Sequence, residues 1–377
     1  MNCEYFNKCG SCNLATNYKT QLYYKYQKEH YHFGDLYNKK LDLIQSEEEH
    51  FRNRAEFRVF HTDNSISYAM NDMDKKLLCI NSCPIVSQPI YDLMPKLLDA
   101  IKDNEILRRK FFTVEFLSSL DGTTLVTMIY HKKLDEQWEE KARELEKELN
   151  IYIIGRSRKQ KVILSKDYIE EKLPINGTTY NMVYHEGSFT QPNTKVNIKM
   201  IQWVLDNIQE GGDLCELYCG AGNFTIPLSS KFDKVLATEI SKTSIKAAKQ
   251  NCELNDVSNI NFIRMSSEEF VEGLNEVREF RRLKDVNLND YSFKKGSPTQ
   301  DQHSTIFLDP PRAGLDETTT KLSQDFEQII YISCNPETLH RDLEELLKTH
   351  EIKHFALFDQ FAYSKHIECG VVLNKII

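Results

Sequence analysis

Three short segments place reactive side chains just after apolar runs: Asp309-Pro310-Pro311-Arg312, Ser333-Cys334-Asn335-Pro336 and His366-Ile367-Glu368-Cys369-Gly370. Tandem prolines remove two backbone donors and stiffen the first loop, so the Asp309 carboxyl can face a ligand without rearrangement. Cys334 falls between an apolar run and a helix expected from about Glu337, and a helix N-terminus favours thiolate, the nucleophilic form of cysteine. A cysteine beside an apolar run is more often an inert core residue. A fourth segment changes that weighting: in Glu216-Leu217-Tyr218-Cys219-Gly220-Ala221-Gly222-Asn223-Phe224 two glycines follow an apolar strand and open a helix. The last glycine of a dinucleotide fingerprint is replaced and no lysine makes it a phosphate loop, so a pyrophosphate would be poorly held. Glu239, at the end of the next expected strand, can accept from both hydroxyls of a ribose. Together they suit the adenosine of S-adenosylmethionine.

A thiol has a definite use beside a methyl donor when the acceptor is C5 of a pyrimidine, a carbon too weakly nucleophilic to take the methyl unaided. Thiolate addition at C6 turns C5 into a carbanion equivalent. A base must then remove the C5 proton so that the thiol can leave, and Glu368 is suited to that step.

The elements that must hold these groups divide the chain in three. Residues 1–50 are a cysteine-containing segment that reads as helix from about residue 13. Residues 51–184 carry short alternating runs, EFRVFHT, SISYAM, FFTVEFLS, TTLVTMIYH, IYIIGRS and QKVILS, expected as an antiparallel sheet with two helices: a smaller, β-rich α+β domain. From 185 to 377 helix and strand alternate, which predicts a doubly wound, Rossmann-like α/β sheet. Residues 278–304 are polar and read as an insertion or long loop.

Composition sets outer bounds. With 40% hydrophobic and 28% charged residues, fibrous and wholly disordered chains are excluded. No run approaches the roughly 18–20 apolar residues of a membrane span, and the start lacks an apolar signal core, so a cytoplasmic protein with no membrane partner is expected. The net charge of −8 is uneven: 29 basic residues stand against 28 acidic up to residue 200, and 19 against 28 after it. An acidic total does not exclude a nucleic-acid partner, because local patches decide.

The words FRNRAEFRVFH, YHKKLDEQW, IGRSRK, GSFTQPN, ELYCGAGNF, VLATEI, VREFRRL, FLDPPRAGLD, YISCNPETL and LFDQFAYSKHIECGV span nearly the whole chain and resemble the bacterial RNA 5-methyluridine methyltransferases, most closely the branch acting on tRNA. The resemblance implies an S-adenosylmethionine-dependent methyltransferase domain behind an RNA-recognition domain. Matched motif by motif, it implies Cys334 as nucleophile and Glu368 as base, with Gln191, Tyr218, Asn223, Glu239 and Asp309 on the methyl donor. The implied substrate is uridine 54 in the T-arm of tRNA. Ribosomal RNA, including 23S, or another RNA with a T-loop-like hairpin is the alternative, and an RNA-folding chaperone is a reading of another class. Phe189 is a candidate stacking face for an extruded uracil. Arg52, Arg54 and Arg58, with Arg156, Arg158, Lys159 and Lys161, offer charge for phosphates.

The N-terminus departs from the tRNA branch. Cys3, Cys9 and Cys12 have C-x5-C-x2-C spacing and Cys83 precedes Pro84, a set that resembles the iron-sulfur cysteines of the ribosomal-RNA relatives. Four thiolates would suit a [4Fe-4S] cluster or zinc, with Cys79 a rival for the fourth place.

Overall fold

The structure is a computed structural model describing residues 1–14, 16–62 and 65–376. Helix α1 (Tyr18–His32) and strand β1 (Asp42–Ile44) open the chain. A seven-stranded sheet follows, built from β2 (Arg54–His61), β3 (Ile66–Asn71), β4 (Leu77–Ile80), β5 (Phe111–Ser118), β6 (Thr124–Tyr130), β7 (Tyr152–Ser157) and β8 (Gln160–Ile163) in the order 4-3-2-5-6-7-8. Helices α2 (Gln88–Lys102), α3 (Glu105–Arg108) and α4 (Glu136–Leu149) accompany it. Strand β2 shows why it is a strand: Ala55, Phe57 and Val59 are buried while Glu56, Arg58 and Phe60 point out. Helix α2 buries Ile90, Leu93, Met94, Leu97 and Ile101, one apolar stripe at helical spacing.

This sheet is not purely antiparallel, as the alternating runs suggested. β6 and β7 pair in parallel, Leu125 opposite Tyr152 through Ile129 opposite Arg156. The reason is α4, which returns the chain to the end of the sheet from which β6 started. Gly155 lets the sheet and α4 meet, since a Cβ there would stand 2.2 Å from the Trp138 ring.

A two-stranded ribbon, β9 (Tyr168–Ile175) and β10 (Thr178–His185), leads to α5 (Thr194–Asn207). Its Ile169, Leu173 and Met182 share a core with Val196, Met200 and Val204 of α5. The rest is an eight-stranded sheet. It comprises β11 (Asp213–Leu217), β12 (Lys234–Thr238), β13 (Ile260–Ile263), β14 (Ser304–Leu308), β15 (Gln328–Ser333), β16 (His350–Phe358) and β17 (Glu368–Lys375), with β1 at its edge, in the order 1-16-17-15-14-11-12-13. Helices α6 (Thr225–Leu228), α7 (Lys242–Leu254), α8 (Ser267–Leu274), α9 (Glu317–Ser323) and α10 (Pro336–Leu346) connect its strands. Strands β11, β14 and β15 are buried along their whole length, as central parallel strands covered on both faces must be.

The polar stretch 278–304 is irregular but pinned. Tyr291 and Phe293 are buried, and the Ser292 N–H donates to Asp213 Oδ2 at 2.7 Å. Asp213 begins β11, so this segment covers the end of that central strand opposite the glycine loop. Among the described residues no helix is long and apolar enough to cross a membrane.

Candidate active site

The strand order brings the reactive segments together. At the end of the sheet where β11, β14 and β15 finish, β17 begins, and the order 17-15-14-11 sets Glu368, Cys334, Asp309 and Glu216 across neighbouring strands, which lie about 4.8 Å apart. Ser333 pairs with Cys369 at the end of the antiparallel ladder, which brings the next residue, Cys334, close to Glu368.

Electrostatically this row is carboxyl-rich and poor in cations. Burial, then the proximity of Asp309, pushes Glu368 up to about 8, with Arg312 opposing. Glu216 is pushed up to about 8 by burial, again with Asp309 adding, and Asp309 up to about 7 by burial. The Cys334 thiol is pushed up to about 11, first by burial and then by Glu368 and Asp309; Arg312 pulls the other way. The helix N-terminus expected to favour thiolate is thus outweighed, and the resting sulfur holds its proton. Arg312 is exposed, and its carbonyl accepts from Asn335 Nδ2 at 2.9 Å, tying the Asp-Pro-Pro-Arg loop to the start of α10.

The glycine loop closes the other side. Tyr218 and Gly220 have φ of 66° and 57°, so the chain turns sharply after β11, and a Cβ on Gly220 would meet nothing within 4 Å. Glu239 receives the Gly220 N–H at 3.2 Å and the Ser241 N–H at 2.7 Å. Tyr218 bonds Ser267 Oγ at 2.7 Å. Asn223 pairs with Asn197 of α5 through two amide hydrogen bonds. Gln191 is half-buried just ahead of α5, and its neighbour Asn193 is fully buried: its N–H donates to Gln360 Oε1, its Nδ2 to Ser46 Oγ and its Oδ1 caps Val196. Glu216 and Thr225 are both buried here, the Thr225 hydroxyl opposing the upward push that burial gives the Glu216 carboxyl. An adenosyl group with a cationic sulfonium suits this place, which offers an acid on the ribose side, open space over Gly220 and carboxyls lacking a cation.

The arginines expected on RNA differ among themselves. Arg58 is exposed, with Nη2 2.6 Å from Asn71 Oδ1. Arg54 donates to the Ser188 carbonyl and lies 3.8 Å from Glu115. Arg52 bonds the Arg54 carbonyl at 2.8 Å. Phe189 is 74% exposed, free to meet a ligand rather than part of the core. In the second cluster, Arg156 is held by Glu186, and Lys161 by Asp167 and Glu186, so their charge is largely neutralised. Not foreseen was the exposed Phe112, stacked on His131 with centroids 4.1 Å apart. His131 lines a groove with Lys132, Lys133 and Arg158.

Cys3, Cys9, Cys12 and Cys83 line one cavity of about 440 Å³, which Arg52 and His366 also reach. Cys79 is exposed and not among its lining residues. Burial and mutual proximity push Cys12 and Cys83 up to about 12. The donors suit a metal cluster in kind and number. Their spacing as it stands does not: among the described residues, no three His, Cys, Asp or Glu side chains converge closely enough to hold an ion.

A doubly wound sheet with a glycine loop, an acid after the second strand and a reactive edge beside them defines an S-adenosylmethionine-dependent methyltransferase. The profile of the tRNA (uracil-5-)-methyltransferase family matches residues 17–376, and the chain belongs to that family. The tRNA/tmRNA (uracil-C(5))-methyltransferase of Aliarcobacter butzleri is 58% identical over 383 residues, covering 100% of both chains. The protein of the same name from Saccharophagus degradans is 49% identical over 372 residues, covering 98% of this chain and 99% of that one. Among solved structures, Pyrococcus abyssi tRNA (uracil-54, C5)-methyltransferase in complex with S-adenosyl-L-homocysteine has a TM-score of 0.70 at 20% identity, over 97% of this chain and 85% of that one. That likeness is one of fold.

Proposed function

We propose that this enzyme methylates C5 of uridine 54 in the T-loop of tRNA through a covalent bond between Cys334 and C6, working in the cytoplasm. The observation that carries the reading is the pairing of Ser333 with Cys369 at the ladder's end, which brings the next residue, Cys334, close to Glu368 and Asp309. When bound, S-adenosylmethionine supplies an electrophilic methyl and a positive sulfonium. Gln191, Tyr218, Asn223, Glu239 and Asp309 orient it. Because the resting sulfur is protonated, its proton must go to a neighbour as the S–C6 bond forms, and Asp309 and Glu368 are the two carboxyls facing it. Asp309 takes that proton, Glu368 stays free to take the C5 proton after methyl transfer, and Asp309 returns its proton as the S–C6 bond breaks. Phe189 stacks on the extruded base, while Arg58 and the Phe112–His131 groove meet the T-arm.

The test is incubation of the full chain with S-adenosylmethionine and a 5-fluorouridine T-arm. Fluorine cannot leave as a proton, so a protein–RNA adduct accumulates. Adduct only with ribosomal RNA fragments would move the substrate there. RNA annealing without adduct on either would leave a chaperone.

We further propose that Cys3, Cys9, Cys12 and Cys83 take up a [4Fe-4S] cluster by closing on their shared cavity. Four thiols around one space, with the Arg52 guanidinium facing Cys83 and Cys12, support it, and Glu56 shares the lining.

A further inference from the structure

Asn197 lies on α5, a helix that buries Val196, Met200, Ile201 and Val204 around it, with Thr194 the other buried polar side chain of the helix. Asn197 is itself 2% exposed. Its Nδ2 donates to Asn223 Oδ1 at 2.8 Å, and Asn223 Nδ2 donates back to Asn197 Oδ1 at 2.9 Å. The buried amide is thus explained by its partner on the glycine loop. An asparagine amide can face either way, and its hydrogen-bond network decides which end it offers. Here the reciprocal pair, with a longer contact of 3.5 Å from the Tyr184 hydroxyl to Asn223 Oδ1, occupies the oxygen of Asn223. Among the described residues, the second N–H of Asn223 meets no acceptor.

We propose that Asn197 is a positioning residue that holds Asn223 as a hydrogen-bond donor toward the methyl donor and locks the glycine loop to α5. The inference rests on the reading that Asn223 touches S-adenosylmethionine. Helix α5 begins three residues after Gln191, and its N-cap Asn193 is fixed by Gln360 and Ser46. The Asn197 pair therefore ties two separate cofactor-facing segments into one rigid wall.

The decisive experiment measures S-adenosylmethionine affinity of the full chain by calorimetry, with thermal unfolding and RNA affinity alongside. Asn197→Leu should weaken S-adenosylmethionine about tenfold, the loss of one oriented hydrogen bond, while RNA affinity stays unchanged. Asn197→Asp is the more telling variant. A protonated carboxyl has the amide's shape and restores both hydrogen bonds; a carboxylate restores only one. Burial raises such a carboxyl, so its affinity relative to wild type should be near one at about pH 6 and fall toward that of Asn197→Leu by about pH 9. Taking the ratio to wild type at each pH cancels the titration of Glu216, Asp309, Glu368 and Glu171, the last on β9 beside α5 and pushed up to about 7 by burial, and the Tyr184 phenol, pushed far up by burial, is silent there. Unaltered affinity in Asn197→Leu, or a flat ratio for Asn197→Asp with loss of thermal stability only, would overturn the proposal. Failure of the wild type itself to bind S-adenosylmethionine would instead bring down the methyl-donor reading and this inference with it.

Discussion

Arg54 reaches across from the seven-stranded sheet to donate to the carbonyl of Ser188, the residue before Phe189. An arginine that looked like a phosphate ligand is thus also a brace for the backbone that presents the exposed Phe189. Phe189→Ala should weaken binding of the T-arm by about tenfold or more, the worth of one stacked base. Arg54→Ala should cause part of the same loss, and the double variant should lose much less than the sum. Additive losses in a binding titration would mean that the two act separately.

Removal of the sulfur should end the chemistry. Cys334→Ala is expected to form no adduct with 5-fluorouridine T-arm and to leave S-adenosylmethionine binding intact. Glu368→Gln should still attack and methylate, but lose about 10²- to 10⁴-fold in turnover and accumulate adduct on ordinary uridine. Denaturing gels with labelled RNA read both results.

The carboxyl row makes stability and activity respond oppositely to pH. Glu216 and Glu368 rise from 4.5 to about 8 in the folded protein. The folded state therefore keeps protons that the unfolded chain releases, and this stabilisation is complete below about pH 4 and lost as pH climbs through about 8. A base must be ionised to work, so single-turnover rate should climb over the same interval. Glu216→Gln, which cannot titrate, should lose less Tm than wild type between about pH 5 and pH 9. Equal slopes would show that Glu216 does not hold its proton.

Lys25 and Asp359 form a fully buried ion pair at 2.5 Å, with Lys25 also donating to the Phe361 carbonyl. Burial lowers the Lys25 ammonium, and Asp359 restores it in part. Replacing either partner alone, as in Asp359→Leu or Lys25→Met, should cost about 3–5 kcal/mol because an unpaired charge is left inside. The double replacement should cost much less. Urea unfolding of the three variants is the measurement.

Iron and sulfide analysis of anaerobically purified protein should find a cluster in wild type and none in Cys9→Ser. Cys79→Ser should behave as wild type, since that thiol lies outside the cavity.

Much of this was readable from the residues. The alternation of apolar runs and helices after residue 185 carries the doubly wound sheet, because buried parallel strands have no choice but to be apolar throughout. Asp309 and Cys334 stand directly after such runs, whereas Glu368 opens the antiparallel strand β17. Other features depend on distant partners. Strand β1 is three residues long, too short to show a period, and exists because β16 offers it an edge. The parallel pairing of β6 and β7 follows from the reach of α4. Arg156 and Lys161 read as free charge until Glu186 and Asp167 are seen beside them. Asn197 carries no motif, and Asn193 and Gln360 stand in the words GSFTQPN and LFDQFAYSKHIECGV without a role of their own, since a buried amide is recognisable only by what it bonds.

The joining of α1 and β1 to the far end of the chain has a consequence for synthesis. Lys25 and Asp359 lie 334 residues apart, so the first helix leaves the ribosome long before the strand that completes it. The seven-stranded sheet is made of neighbours and can close early on the nascent chain. The catalytic half must wait for its final strands, so a message truncated near its end would yield a protein with a formed small sheet and no active site.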